Sequence, residues 1–139
     1  MFKVNYLGGE MPTFALNFSR PAGEIVAQYY NLLRLGREGY RAIHQTCADT
    51  AAYLAGELAR MGCFEPLYEG RGALPAICYT AAEDAGFSLY DLSTHLRIKG
   101  WQVPSYPLPA DREETVVQRV LIRHGVSRDT AALLADDIR

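Results

Sequence analysis

Tyr40, Ile43, Cys47, Ala51, Leu54, Leu58 and Met61 recur at three- and four-residue intervals, and the run stops at Gly62. Only a helix turns such positions onto one face, and glycine suits the left-handed residue that closes a helix. This stripe constrains the fold most, because it requires a continuous apolar surface to cover it. The residues that follow can supply one. Residues 64–69 and 74–80 read as strands around the turn Gly70-Arg71-Gly72, and residues 115–123 give the strongest strand signal, ended by Gly125. Ser88-Leu89-Tyr90-Asp91 has the form of a capping box with Asp in place of Glu, and Leu92, Leu96 and Gly100 complete a short helix. Trp101-Gln102-Val103 reads as a strand ended by Pro104, Pro107 and Pro109, and Ser127 caps a last helix through Ala131, Leu134 and Ile138. The expected fold is α+β: a long N-terminal helix followed by a small β-β-α-β-β-α domain, its sheet covered by helices.

Upstream of the stripe the pattern is looser. Ile25, Tyr29 and Leu32 share one helical face, with Val26, Tyr30 and Leu33 beside them. Gly36 and Gly39 each cost about 1 kcal/mol in a helix interior, so the spacing predicts a long helix kinked near Gly36. Residues 2–6 and 13–18 read as short extended pieces around a break at Gly8-Gly9, neither with an obvious local partner. Ser19-Arg20-Pro21 then opens the helix. Such a start is ordinary capping, with proline where its missing N–H costs nothing. The same free N–H groups, with the Ser19 hydroxyl, would also suit an anion.

Composition narrows the function classes. With 139 residues the chain is one domain's worth, and 49% hydrophobic with 22% charged residues is ordinary for a globular protein. A formal net charge of −2 without a basic run gives no support to electrostatic capture of nucleic acid or an anionic membrane. The apolar runs are short of a membrane span, and the first residues do not resemble a signal peptide. Cys47, Cys63 and Cys78 are odd in number and widely spaced, which suits reduced thiols in the cytoplasm. No metal is expected, since Cys63, Cys78 and His95 lack metal-site spacing. His44, His95 and His124 read as structural or solvated, and Glu83-Asp84 and Asp136-Asp137 as solvated surface.

One strand leaves a question open. Period-two alternation places Val117, Arg119 and Leu121 on one face of the 115–123 segment, with Val116, Gln118, Val120 and Ile122 on the other. Each face carries one polar interruption. Arg119 would need a carboxylate partner if covered and would mean nothing if it faced water, and the pattern does not choose.

The runs FSRPAGEIVAQYYNLLRLGREGY, GWQVP and VVQRVLIRHG, in order along the chain, closely resemble the C-terminal part of bacterial glutamate decarboxylases. These are pyridoxal phosphate enzymes of the aspartate-aminotransferase fold type. The resemblance implies that residues 1–20 end a large domain, 21–62 form a connecting helical segment and 63–139 form the small C-terminal domain. It implies that the Schiff-base lysine, in a Ser-x-x-His-Lys stretch, lies upstream. Lys3 and Lys99 are the only lysines here and neither fits that motif, so the chain alone is expected to be inactive, with no catalytic residue of its own. Met1 would then be an artificial start or the start of a truncated reading frame. Ser19 matches the serine that reaches across the dimer interface to the cofactor phosphate of the neighbouring subunit in a homo-oligomer. Arg119 matches the small-domain arginine that meets the substrate carboxylate. It would hold the α-carboxylate of glutamate so that the breaking bond stands perpendicular to the cofactor ring, which accepts the electron pair as CO2 leaves.

Two other readings remain open at this stage. A stand-alone ferredoxin-like ligand-binding or regulatory module has the same layout of elements. A decarboxylase of another amino acid in the same group is the other alternative, because the side-chain carboxylate is expected to be read by upstream residues.

Overall fold

The computed structural model describes residues 2–6, 9–13, 21–70 and 72–139. Strands β1 (Phe2–Tyr6) and β2 (Gly9–Thr13) form an antiparallel hairpin with Tyr6 opposite Gly9. The extended piece expected at 2–6 is thus present with a local partner, and the one expected at 13–18 lies, beyond Thr13, outside the described residues. Gly9 belongs to this ladder, opposite Tyr6, and Gly8 lies outside the described residues.

Helix α1 (Gly23–Met61) is interrupted at Gly36, whose φ of 56° and ψ of −170° only glycine adopts readily. The predicted kink is therefore present. Beyond it the stripe behaves as expected: Cys47, Ala51, Leu54 and Leu58 are buried, and Gly62 closes the helix in the left-handed region. Before the kink, Ile25, Val26, Tyr29, Tyr30, Leu32 and Leu33 are all exposed.

The remaining elements are β3 (Phe64–Tyr68), β4 (Ala76–Ala81), α2 (Leu89–Ile98), β5 (Ser105–Pro107), β6 (Val116–Leu121) and α3 (Arg128–Ile138). The four strands form one antiparallel sheet in the order β3-β4-β6-β5. The C-terminal half of α1, with α2 and α3, packs with one face of this sheet around a core that includes Leu54, Leu58, Phe64, Ile77, Tyr79, Leu92, Leu96, Ile122 and Leu134. The caps are the predicted ones. Ser88 Oγ accepts from the Asp91 N–H at 3.1 Å, and Ser127 Oγ accepts from the Thr130 N–H at 3.1 Å.

The strand expected at 101–103 lies instead at Ser105–Pro107, on the sheet's edge next to β6. An edge strand tolerates proline because one side of its backbone needs no ladder partner. The 101–103 segment is committed elsewhere. Val103 O accepts the Ser93 hydroxyl at 2.6 Å, and Trp101 Nε1 donates to Asp137 Oδ2 at 2.7 Å.

Gly70 sits in a tight passage between α1 and β4. It is buried at φ 77°, and a Cβ there would lie 2.8 Å from the Ala76 carbonyl oxygen and 3.2 Å from Ala51 Cβ. Neither neighbour can move without shifting backbone of α1 or β4. Gly70→Ala is expected to destabilise the chain by about 2 to 4 kcal/mol, read as a lowered urea midpoint.

Asp137 is a further correction, since it is not merely solvated. Lys99 Nζ donates to Oδ1 at 2.7 Å while Trp101 takes Oδ2, tying α3 to the end of α2. The Lys99 hydrogen bond first, then that of Trp101, holds the carboxyl below its ordinary value of 3.8. A carboxyl depressed in the folded state contributes stability that is complete above its unfolded value and fades as pH falls through the folded one. Below about pH 4 the melting temperature of the chain should therefore decline with acid more steeply than that of Asp137→Asn. Parallel acid limbs in the two melting profiles would remove this contribution.

Candidate functional site

The two faces of β6 differ most at Gln118 and Arg119, for Val117, on the Arg119 side, is itself only 1% exposed. Gln118 and Ile122 are buried toward the helices, and Val116 and Val120 are half-buried beside them. Arg119 lies on the other face and is exposed, with Leu121 next to it. The question left by alternation is thus resolved by what Gln118 finds on the covered side.

Gln118 is 0% exposed and fully engaged. Its Oε1 accepts the Tyr79 hydroxyl at 2.7 Å, and its Nε2 donates to Ser93 Oγ at 2.9 Å, Ser105 Oγ at 3.1 Å and Leu89 O at 3.2 Å. Ser93 donates its own hydrogen bond to Val103 O, and Ser105 donates to Leu89 O, both at 2.6 Å. One amide thus joins β4, β5, β6 and α2, and no buried side-chain polar atom among the described residues lacks a partner. Sequence reasoning missed this network. The signal available was the pair of serines at 93 and 105 near a polar residue inside an otherwise apolar strand face.

On the open side, register fixes the neighbours of Arg119. Cys78 stands opposite it on β4, and Tyr68 stands opposite Cys78 on β3. Beyond the end of β6 a crevice against α1 is lined by Arg34, Tyr40, His44, Leu121, Arg123 and His124, with no acidic residue among its lining. His44 and His124 are exposed there, and His95 lies on the helix side of the domain. Cys63 shares the pocket of His95, whereas Cys78 is on the Arg119 face, so these three potential metal ligands are not brought together.

Ser19 lies outside the described residues. Lys99 is engaged with Asp137 at the α2–α3 junction, and Lys3 lies in β1. What the described residues offer is an exposed guanidinium on the sheet face away from α2 and α3.

A long helix leading into a four-stranded antiparallel sheet backed by helices is the class of structure found in pyridoxal-phosphate-dependent decarboxylases and lyases. The chain superposes on a glutamate decarboxylase from Lactobacillus brevis with a TM-score of 0.84 and 45% identity, covering 99% of this chain and 31% of that one. A sphingosine-1-phosphate lyase from Burkholderia pseudomallei, 21% identical, has the same fold with a TM-score of 0.68 over 99% of this chain and 29% of that one. Residues 1–82 match the pyridoxal-dependent decarboxylase conserved domain, and the chain belongs to that family. Among curated relatives, a glutamate decarboxylase from Aliivibrio fischeri is 57% identical over 100% of this chain and 30% of its own length. A probable glutamate decarboxylase gamma from Listeria monocytogenes is 49% identical over 99% of this chain and 31% of its own length. The chain spans about 30% of the length of the curated relatives it matches.

Proposed function

We propose that this chain supplies the C-terminal part of a pyridoxal-phosphate-dependent glutamate decarboxylase, which converts glutamate to 4-aminobutyrate and CO2. The observation that carries the reading is the joint one of 57% identity across the whole chain and an exposed Arg119 on the sheet face turned away from the core. In this reading residues 1–20 finish the large domain, 21–62 connect, and 63–139 form the small domain. Arg119 binds the α-carboxylate of glutamate through its planar fork and fixes the orientation of the bond to be broken. The cofactor supplies the electron sink and is held by segments other than the described ones.

The assembly is a cytoplasmic homo-oligomer in which Ser19 reaches the cofactor phosphate of a neighbouring subunit. Three free cysteines are compatible with a reducing compartment, and no helix among the described residues is long and apolar enough to cross a membrane. The exposed apolar residues before the Gly36 kink are surface that a large domain or neighbouring subunit would cover.

The decisive experiment compares this chain with the full-length enzyme. The full-length protein should release CO2 from glutamate. The purified 139-residue chain should neither do so nor turn yellow with pyridoxal phosphate, because neither Lys3 nor Lys99 fits the cofactor-lysine motif. Decarboxylation by the isolated chain would overturn this assignment.

A further inference from the structure

On the helix side of the domain, exposed cations find carboxylates. Arg60 pairs with Glu57, Lys99 with Asp137, and Arg139 with both Asp136 and Glu57. The crevice between α1 and the end of β6 departs from this. Arg34 reaches it from the part of α1 before the kink, and Arg123 from the segment after β6. Among the described residues neither guanidinium is paired with a carboxylate. In a continuous helix Glu38, four residues on, would stand beside Arg34, but the break at Gly36 lies between them and ends the helical register. Acid is not scarce in the chain, which has 16 acidic residues to 14 basic ones.

The rest of the lining adds donors and an apolar wall. His44 and His124 bring imidazoles, which can donate an N–H even when uncharged. Tyr40, stacked on His44 with ring centroids 6.5 Å apart, brings a hydroxyl. Leu74 and Leu121 flank the crevice and are 69% and 55% exposed, so apolar surface beside the cations is left uncovered. The volume, about 610 Å³, is that of a small-molecule site. Two fixed cations that converge on one crevice repel each other, and an anion between them replaces that repulsion with charge-assisted hydrogen bonds.

We propose that this crevice binds an organic phosphate monoester, its phosphate held between Arg34 and Arg123 and its carbon body laid against Leu74 and Leu121. Two guanidiniums match the charge of a phosphate dianion, whose oxygens can take both forks. Inorganic phosphate would leave the apolar wall uncovered, and a neutral ligand would leave the two cations unmatched. Arg119 is not among the lining residues.

The experiment is a calorimetric titration of the full-length enzyme, saturated with its cofactor, with phenyl phosphate and then with inorganic phosphate. Phenyl phosphate should bind about tenfold more tightly than inorganic phosphate, because its ring covers apolar surface. The double substitution Arg34→Gln with Arg123→Gln should weaken phenyl phosphate at least about tenfold, and each single substitution severalfold. Arg37→Gln, exposed on α1 and outside the lining, removes a charge without touching the site and should stay within about twofold of the parent. Both crevice arginines are exposed, so cofactor absorbance and melting temperature should hold in the variants. Equal affinity in the parent and the double variant would place the anion elsewhere and overturn the proposal. So would a loss in Arg119→Met as large as that in the double variant, or equal binding of the two phosphates. No saturable binding by the parent in the millimolar range would mean that the rest of the protein closes the crevice, and would overturn it as well.

Discussion

Arg119→Lys in the full-length enzyme is expected to lower kcat/KM for glutamate by about 2 to 4 kcal/mol, roughly 30- to 1,000-fold, while fold and cofactor content persist. The fold should survive because Arg119 is exposed at the surface of β6 and the strand is anchored from its other face by Gln118 and Ile122. Lysine keeps the charge, so electrostatic attraction of an acid remains. It loses the two parallel N–H donors that fix the plane of a carboxylate. If the arginine only attracted substrate, KM alone would rise. If it also orients, kcat falls too, because a rotated carboxylate misaligns the bond that must break. Steady-state kinetics with CO2 detection separates these cases. Kinetics indistinguishable from the parent would reduce Arg119 to a surface residue.

How far the sequence could be read depended on the range of the interactions involved. The α1 stripe, the kink at Gly36 and the caps at Ser88 and Ser127 were legible because each is settled within a few residues by periodicity, glycine geometry or a nearby N–H. The choice of the inner face of β6 was not. Gln118 and Arg119 interrupt their faces equally, and what distinguishes them lies 13 to 39 residues away in Ser105, Ser93, Leu89 and Tyr79. The edge strand was displaced to Ser105–Pro107 for a related reason, since the Val103 carbonyl is taken by Ser93 rather than by a ladder. Asp137 looked like solvated surface because its partners, Lys99 and Trp101, are 38 and 36 residues distant. The role of Arg119 entered through family resemblance. Its open setting on the sheet is compatible with that role, but periodicity alone could not have assigned it.

A stability effect as large as that at Gly70 should come from the residue that decides this face. Gln118→Leu conserves volume approximately and is apolar, yet it is expected to cost about 2 to 4 kcal/mol. The loss does not lie in packing. Leucine cannot accept the Tyr79 hydroxyl, which is buried with its ring and donates nowhere else in the network. It also takes the amide donor away from Ser93 and Ser105, although each serine keeps its own carbonyl acceptor at 2.6 Å. The main penalty is therefore one stranded phenol. Burial already pushes the Tyr79 phenol far above its ordinary value, so ionisation offers no escape at any physiological pH. Tyr79→Phe should cost about 1 to 3 kcal/mol by stranding Gln118 Oε1 instead. Combining the two removes both ends of one hydrogen bond, so the double variant should be more stable than the sum of the single losses predicts, by about 1 kcal/mol or more. Urea unfolding of all four proteins closes the cycle. Simple additivity would mean that Tyr79 and Gln118 act independently and that the choice of the inner face rests on Ile122 and its apolar neighbours alone.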